Sequence, residues 1–441
     1  MSFKRIVFFL VGILTISAQA QEKKWTLQEC VDYAIQNNIS VKQSELDLET
    51  SSVEKLEAIG GFLPTLSGNA NYSINTGASI NPVTNQFQNT TFKSFSAQAN
   101  SGITLFNGLA NWKTLQRAKL NKIANTYRLD KMKDDIALSI ANSYLQILFN
   151  KEQLKVQINQ NNITKENLKR TRELIDAGVL PAGDIFDLEA TNASQEQQII
   201  ASENAVLISK IALCQTMLLD DYVSFDVIEE IVDVPVSEVT NKSQEEILQK
   251  SKESVNDLKI ALSNVDIAKK DLSISRSSYL PTLSGFVGYN TRWSESTPFN
   301  FIDQLTLFDG TAVGLQLNVP ILNGFTTRGR VQRAKINQER TEFQLKQAEL
   351  DLERNVYQAY NDVKNAAKSY EAAQKTLEAR QQAYDFAKER YQVGLMNSFD
   401  YSQANMTYEN AQSEVLRTKY DYIFKTKILE FYFGIPLIQN N

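Results

Sequence analysis

The feature that most constrains this chain is that its sequence occurs twice. Residues 63–68 are Leu-Pro-Thr-Leu-Ser-Gly, and residues 280–285 repeat them at an offset of 217 residues. Further recurrences share an offset of 216: residues 116–119 (Gln-Arg-Ala-Lys) at 332–335, Gly178 at Gly394, and Asp184 at Asp400. A period this long exceeds any solenoid unit and indicates that a whole half-chain has been duplicated.

The duplication predicts the domain organisation. We expect a first repeat over residues 21–219, an acidic linker or small subdomain over 220–242, and a second repeat over 243–441. Each half is predicted to begin with a helix of about 35 residues, at 26–59 in the first half, because its apolar positions follow helical spacing. Two strands, a very long helix, a glycine turn and a closing helix should follow.

The long helices are predicted from missing helix breakers. Neither Gly nor Pro occurs between Gly108 and Gly178, or between Gly329 and Gly394. Seventy helical residues would reach roughly 100 Å, which exceeds the needs of a globular core. The second long helix is expected to bury a heptad-like seam of Val356, Tyr360, Val363, Ala367, Tyr370, Gln374, Leu377, Gln381, Tyr384 and Tyr391. Because these residues are small, aromatic or amide, they favour a wall of several helices over a two-stranded coiled coil.

Four segments alternate between apolar residues and small polar residues, and they are predicted strands at 66–75, 94–105, 283–293 and 311–319. Strands of about ten residues with Ser, Asn and Gln on one face are typical of a transmembrane β-barrel with a wet lumen. Half-buried strands of a soluble sandwich are the alternative. Long polar loops are expected at 76–91 and 294–308. Four strands cannot close a barrel, so several chains would have to share one.

The first 20 residues predict export. Lys4 and Arg5 precede an apolar run over residues 6–16, and a small-residue site follows at residues 18–20, which is the pattern of a secretory signal peptide. The chain contains no histidine, so His-dependent triads and His-based zinc sites are excluded. The sequence contains no polybasic stretch, so nucleic acid is not expected as a partner. No cofactor or metal is predicted. Cys30 and Cys214 are expected to be two separate thiols, although a disulfide remains possible.

With these motifs assembled, the chain resembles the TolC family of outer-membrane efflux and secretion channels. The resemblance rests on the duplicated helix–strand–strand–helix–helix plan, the paired Leu-Pro-Thr-Leu-Ser-Gly segments and the turn at Val393, Gly394 and Leu395 with Asp400. It implies a mainly α protein with a transmembrane β part. Three copies would form a shared 12-stranded barrel in the outer membrane and an α-helical tunnel in the periplasm. It further implies a periplasmic membrane-fusion adaptor protein and an inner-membrane transporter as partners.

The resemblance also assigns roles to the predicted tips near residues 177–184 and 393–400. An adaptor would dock on Gly178, Val179, Leu180, Val393, Gly394 and Leu395. A periplasmic gate would use Asp184, Asp187, Tyr391 and Asp400, with Asp184 meeting Tyr391. Gln403 and Met396 depart from the family pattern, which often has an aspartate and a basic residue there, so the gate is expected to use different contacts. The alternative roles are structural: a turn glycine with positive φ, and carboxylates that cap helix N-termini.

The function predicted from the sequence is a passive duct for a tripartite efflux pump of the resistance-nodulation-division type or for a type I secretion system. The alternative is a structural periplasmic coiled-coil protein with a soluble β head. A carboxylate enzyme is not predicted, since no pair of carboxylates is placed in a recognisable pocket. The Ser and Asn residues of the predicted lumen do not specify a cargo.

Overall fold

The structure is a computed structural model that describes residues 24–80, 85–229 and 237–435. The predicted signal peptide at residues 1–20 lies outside the described residues. The chain divides into two compact units. One contains the chain up to Gln43, Lys131–Val255 and the chain from Asp351, and the other contains Ser44–Asp130 and Asn256–Leu350. Among the described residues, no helix combines the length and the apolar character needed to cross a membrane.

The two halves have matching elements, which confirms the predicted duplicated plan. The first half contains β1 (Lys24–Trp25), α1 (Leu27–Asn37), α2 (Ile39–Gly60), β2 (Thr65–Ile80), β3 (Phe87–Phe106), α3 (Ala110–Asp176) and α4 (Asp184–Met217). The second half contains β4 (Asp226–Val227), a 3-10 turn (Glu238–Asn241), α5 (Gln244–Ser254), α6 (Asn256–Ser277), β5 (Thr282–Ser294), α7 (Phe301–Leu307), β6 (Gly310–Asn318), α8 (Thr326–Gln392) and α9 (Ser398–Phe433).

The duplication extends to the backbone dihedral angles. Positive φ values recur at an offset of 216 residues: Gly108 with Gly324, Leu109 with Phe325, Gly178 with Gly394, and Leu218 with Gly434. Left-handed backbone is rare outside glycine, so the pair Leu109 and Phe325 in particular shows that both halves begin their long helices at equivalent positions.

The prediction of one continuous helix over residues 26–59 is wrong, because the helix breaks at Asn38. Asn38 has an extended ψ of 134°. Its side chain accepts a hydrogen bond from the Ser40 amide at 2.9 Å and donates one to the Thr216 carbonyl at 2.8 Å. An Asn side chain that bonds nearby backbone competes with helical hydrogen bonding. The second half breaks likewise at Val255, and both short helices begin with a capping box, from Thr26 and from Ser243.

The four long strands form an antiparallel sheet in the order β2-β3-β5-β6. The expected long loop at 76–91 is wrong, since β2 and β3 stay paired from Thr76 opposite Thr91 to Ile80 opposite Phe87. Polar cross-strand contacts extend the hairpin, as between the Thr76 and Thr91 hydroxyls at 3.0 Å. The segment at 294–308 is also more ordered than a loop, because it contains α7. The buried Gln304 amide of α7 donates to the Ser294 and Phe299 carbonyls.

The predicted seam of α8 is wrong at alternate positions. Val356, Val363, Tyr384 and Tyr391 are buried as expected. Between them, the buried residues are alanines that lie one position before the predicted ones: Ala359, Ala366 and Ala373. Ala387 is buried in the same row near the C-terminal end of the helix. Residues 374 and 381, both Gln, are exposed. Alanine lacks atoms beyond Cβ, so a neighbouring helix can approach closely there. The four remaining predicted positions are half-buried: Tyr360, Ala367, Tyr370 and Leu377.

The segment around residues 220–242 is packed in its described part. Strand β4 pairs in parallel with β1, and Phe225 and Val227 lie in a core cluster with Cys30 and Cys214. The two cysteines are buried thiols that form no disulfide with each other. Burial raises the pKa of the Cys214 thiol to about 11.

Candidate docking tip of the helical hairpins

The residues predicted to dock an adaptor lie at the turns of two long helical hairpins. The first turn joins α3 to α4, and the second joins α8 to α9. Ser398 donates a hydrogen bond to Asp187 Oδ2 at 3.0 Å, so the first residue of α9 contacts the first turn of α4. The structure therefore brings the two turns side by side, and we call residues 177–187 and 393–400 together the docking tip.

Both long helices end in the same way. The Gly178 amide donates to the Ile175 carbonyl and the Val179 amide to the Leu174 carbonyl, at 2.9 and 2.8 Å. Gly394 and Leu395 make the equivalent pair of hydrogen bonds to Tyr391 and Arg390. This is the Schellman motif, in which a residue with positive φ satisfies the last helical carbonyls. The φ values of +74° at Gly178 and +75° at Gly394 explain why glycine occupies both positions.

The apolar side chains that flank these glycines are largely exposed. The exposed fractions are 63% for Val179 and 69% for each of Val393 and Leu395, whereas Leu180 is half-buried. Phe186 and Phe399, in the first turns of α4 and α9, are exposed by 67% and 65%. Sequence reasoning did not single out these two aromatics. A group of exposed apolar residues on one tip is typical of an interaction surface.

The predicted gate carboxylates lie at the helix starts but do not cap them, so the capping alternative is wrong. The N-cap of α4 is Gly183, which has no side chain to cap with. The N-cap of α9 is Asn397, whose Oδ1 accepts from the Asp400 amide at 2.8 Å. Asp184, Asp187 and Asp400 therefore occupy first helical turns, where the helix dipole favours negative charge.

Tyr391 is built into a tyrosine cluster behind the tip. Its ring stacks on Tyr401 with the centroids 4.7 Å apart, and its hydroxyl lies 2.9 Å from the Thr171 hydroxyl. Burial raises the pKa of Tyr391, and the negative charge of Asp184 adds to this shift. Asp184 is thus near enough to Tyr391 to act on it electrostatically, while the tyrosine hydroxyl is hydrogen-bonded within its own chain.

Tyr401 is the centre of this cluster and was missed by sequence reasoning. It is 2% exposed, and its hydroxyl accepts from Asn167 Nδ2 at 2.6 Å and lies 3.2 Å from the Tyr384 hydroxyl. Tyr384 in turn stacks on Tyr408 at 5.1 Å. The seven-residue spacing of Tyr401 and Tyr408 on α9 is a signal that could have revealed them. Leu168 and Leu188 complete the cluster, which joins α3, α4, α8 and α9.

Among the described residues, no group of three or more Cys, Asp and Glu side chains is arranged to hold a metal ion. What the tip offers chemically is exposed apolar surface, carboxylates at helix N-termini and a rigid aromatic support.

Comparison with known proteins identifies the class. The family model "Outer membrane efflux protein" matches residues 30–217 and 247–432. The proteases secretion protein PrtF of Dickeya chrysanthemi is 23% identical over 95% of this chain and 90% of its own length. TolC of Escherichia coli is 21% identical over 95% of this chain and 84% of its own. The Campylobacter jejuni CmeC outer membrane channel has a TM-score of 0.76 at 19% identity, covering 92% of this chain and 85% of that structure.

The chain belongs to the outer membrane efflux protein family. It is accordingly an outer-membrane channel component of export systems. Members of this family are transport components and not enzymes. The predicted TolC-family resemblance and the predicted outer-membrane location are confirmed. The alternative of a structural periplasmic protein with a soluble β head is set aside by this membership.

Proposed function

We propose that three copies of this chain form one passive duct, with a 12-stranded barrel in the outer membrane and a helical tunnel in the periplasm. The docking tip binds a membrane-fusion adaptor protein, which links the duct to an inner-membrane transporter of an efflux or type I secretion system. The observation that carries the adaptor proposal is the exposed apolar surface of the two adjacent tip turns. The remaining support comes from the sheet and from the exposed helix faces.

The sheet supports a barrel shared between copies. Its edge strands are β2 and β6, with β3 and β5 between them. Apolar side chains on the sheet are exposed, including Leu66 at 79% and Val313 at 75%. The backbone amides of the edge strands need hydrogen-bond partners, which lipid cannot supply. The apolar face of the sheet needs an apolar environment, which lipid does supply. Pairing β2 of one copy with β6 of the next would satisfy the edges, and three copies of four strands give the 12 of the proposal.

The helices support contact with a second copy of the chain. On α8 the exposed residues Ile336, Phe343 and Leu350 are spaced by seven, with exposed fractions of 55%, 77% and 48%. On α2, Leu46 and Val53 share this spacing and are exposed by 60% and 51%. Apolar rows at heptad spacing are what helices bury when they pack along their length.

The adaptor proposal is tested by cross-linking from Leu395→Cys in intact cells. The reaction should be selective for position 395, because both native cysteines are buried and the raised pKa of Cys214 disfavours its thiolate. We expect covalent capture of one periplasmic adaptor, whose identity also distinguishes efflux from secretion. Asn410→Cys, on the exposed part of α9 away from the tip, is the matched control. Equal capture from both positions would contradict docking at the tip.

The gate is proposed to close through Asp184, with Asp187, Asp400 and Tyr391 around it. Replacing Tyr391 would also remove its stacking on Tyr401, so Asp184→Ala is the cleaner test. We expect trimers of this variant in planar bilayers to conduct more than the wild type, because a ring of carboxylates at a constriction holds cations. Glu166→Ala, an exposed carboxylate of the same hairpin, should leave conductance unchanged. Wild-type conductance in Asp184→Ala would remove this residue from the gate.

A further inference from the structure

A half-buried carboxyl group lies between helices below the docking tip. Glu409 of α9 accepts hydrogen bonds at Oε1 from Gln195 Nε2 of α4 at 2.7 Å and from Asn405 Nδ2 of its own helix at 2.6 Å. Asn405 accepts in turn from Gln160 Nε2 of α3 at 2.7 Å. Gln160, Gln195 and Asn405 are 4–5% exposed. One carboxyl therefore links three helices through buried amides, and neither the docking nor the gating proposal uses it.

The partners of this carboxyl are neutral. On α4, Glu196 follows the donor Gln195 in the chain, but it is exposed and paired with Lys165 of α3 at 3.1 Å. On α8, burial raises the pKa of Tyr384, and the negative charges of Asp385 and Glu409 add to that shift. Among the described residues, helix α8 therefore brings a tyrosine and a second carboxylate to this region, and no cation. Glu414 on α9 is paired instead with Arg417. Glu409 is half-buried, so ionising it without a cation partner carries a reduced desolvation cost, and the amide donors offset part of that cost.

We propose that Glu409 is a proton-operated clasp, which holds α3, α4 and α9 together when it is protonated and loosens them when it is ionised. The neutral acid needs no counter-charge and keeps its acceptor oxygen for the Gln195 and Asn405 amides. The ionised form retains those bonds but adds an uncompensated negative charge to the helix interface. The clasp lies between the docking tip and the rest of the hairpins, so it acts on how readily the tip moves. This consequence for transport rests on the proposed channel function, whereas the clasp itself does not.

The direction of the pH dependence follows from the pKa. Burial raises the pKa of Glu409 above its ordinary value, and the Gln160, Gln195 and Asn405 amides partly oppose that shift. A carboxyl with a raised pKa in the folded state binds its proton more tightly there than in the opened state. The stability that this proton adds to the bundle is therefore fully present below the unfolded pKa, and it is lost as pH rises from there through the folded pKa.

Hydrogen exchange of the full-length protein in detergent tests the clasp. Protection factors of the segment at residues 401–413, corrected for intrinsic exchange, are measured between about pH 4, below the ordinary pKa of a glutamate, and about pH 8. In the wild type we expect protection to fall several-fold as pH rises. Glu409→Gln should keep the high protection at every pH, because its neutral amide mimics the size and charge of the protonated acid. Glu414→Gln is the matched control on the same helix and should retain the wild-type slope.

Two results would overturn the clasp: wild-type protection that does not change with pH, or a Glu409→Gln variant that keeps the wild-type pH slope. If Glu409→Gln does not fold, Gln195→Leu provides the second test. Removing a donor to the ionised carboxylate should move the midpoint of the protection change to higher pH. An unchanged midpoint in that variant would equally contradict the proposal. Hydrogen exchange reports on the helices and does not depend on conductance. A negative result for the clasp is therefore distinct from a negative result for the proposed channel.

Discussion

The two turns of the docking tip stop their helices alike but restart them differently. Gly178 and Gly394 end α3 and α8 with the same pair of hydrogen bonds and nearly the same φ. In the second turn Asn397 then caps α9 through the Asp400 amide. In the first turn, seven residues pass before α4, and its N-cap Gly183 makes no side-chain cap. Duplication thus preserved the stop signal, while the restart of α4 relies on contacts such as Ser398 with Asp187.

The largest expected effect comes from removing what the two turns share. Tyr401→Ala should lower the free energy of local opening by roughly 3–5 kcal/mol, because it deletes a buried aromatic ring at the centre of the cluster. Hydrogen exchange should lose protection on both hairpins together. Phe399→Ala, two residues earlier and 65% exposed, should cost less than about 0.5 kcal/mol. Loss of protection on α9 alone would show that Tyr401 does not couple the turns.

The common stop signal predicts equal costs in the two repeats. Gly178→Ala and Gly394→Ala should each destabilise the turn by about 1–2 kcal/mol, since a side chain at positive φ is strained even in open space. An added Cβ would meet no atom within 4 Å at either position, so the backbone is the sole cause. Gly329→Ala, inside α8 and equally open, should instead stabilise by roughly 0.5–1 kcal/mol. A clear inequality between Gly178 and Gly394 in local exchange would break the equivalence.

Because α9 begins with a side-chain cap and α4 does not, removing that cap should destabilise the start of α9 alone, and by less than the preceding changes. Asn397→Ala should cost about 1 kcal/mol, because the first turn of α9 loses its side-chain cap. Exchange should rise at the start of α9 and leave the start of α4 nearly unchanged. Asn410→Ala, exposed within α9, should be neutral or slightly stabilising because alanine favours helix. An equal rise in exchange at the start of α4 would mean that the cap of α9 also stabilises the start of α4.

Most elements were predictable from local pattern, and the errors have identifiable physical causes. Alternation placed the four strands, and the absence of Gly and Pro placed α3 and α8. The break at Asn38 was only partly predictable, because its bond to the Ser40 amide is local whereas its bond to the Thr216 carbonyl joins residues distant in sequence. The buried row of α8 was assigned to Tyr360 rather than Ala359, since alanine suits either environment and only a neighbouring helix decides between them.

The candidate site shows the same division. The sequence indicated Gly178, Gly394 and the aspartates, because turn glycines and helix-start carboxylates are local signals. It did not reveal that Tyr391 contacts Tyr401 and Thr171, or that Glu409 accepts a hydrogen bond from Gln195 of α4, since such contacts join residues on different helices.

By itself, the sequence determined that this protein is a duplicated set of long helices and alternating strands, and where each long helix ends. Periodicity and breakers act over a few residues, so the chain carries that information locally. Tertiary structure alone decided which of two adjacent helix rows is buried, how the two tip turns are joined, and which carboxyl lies without a counter-charge. Those outcomes depend on packing and desolvation between helices, which no single segment encodes.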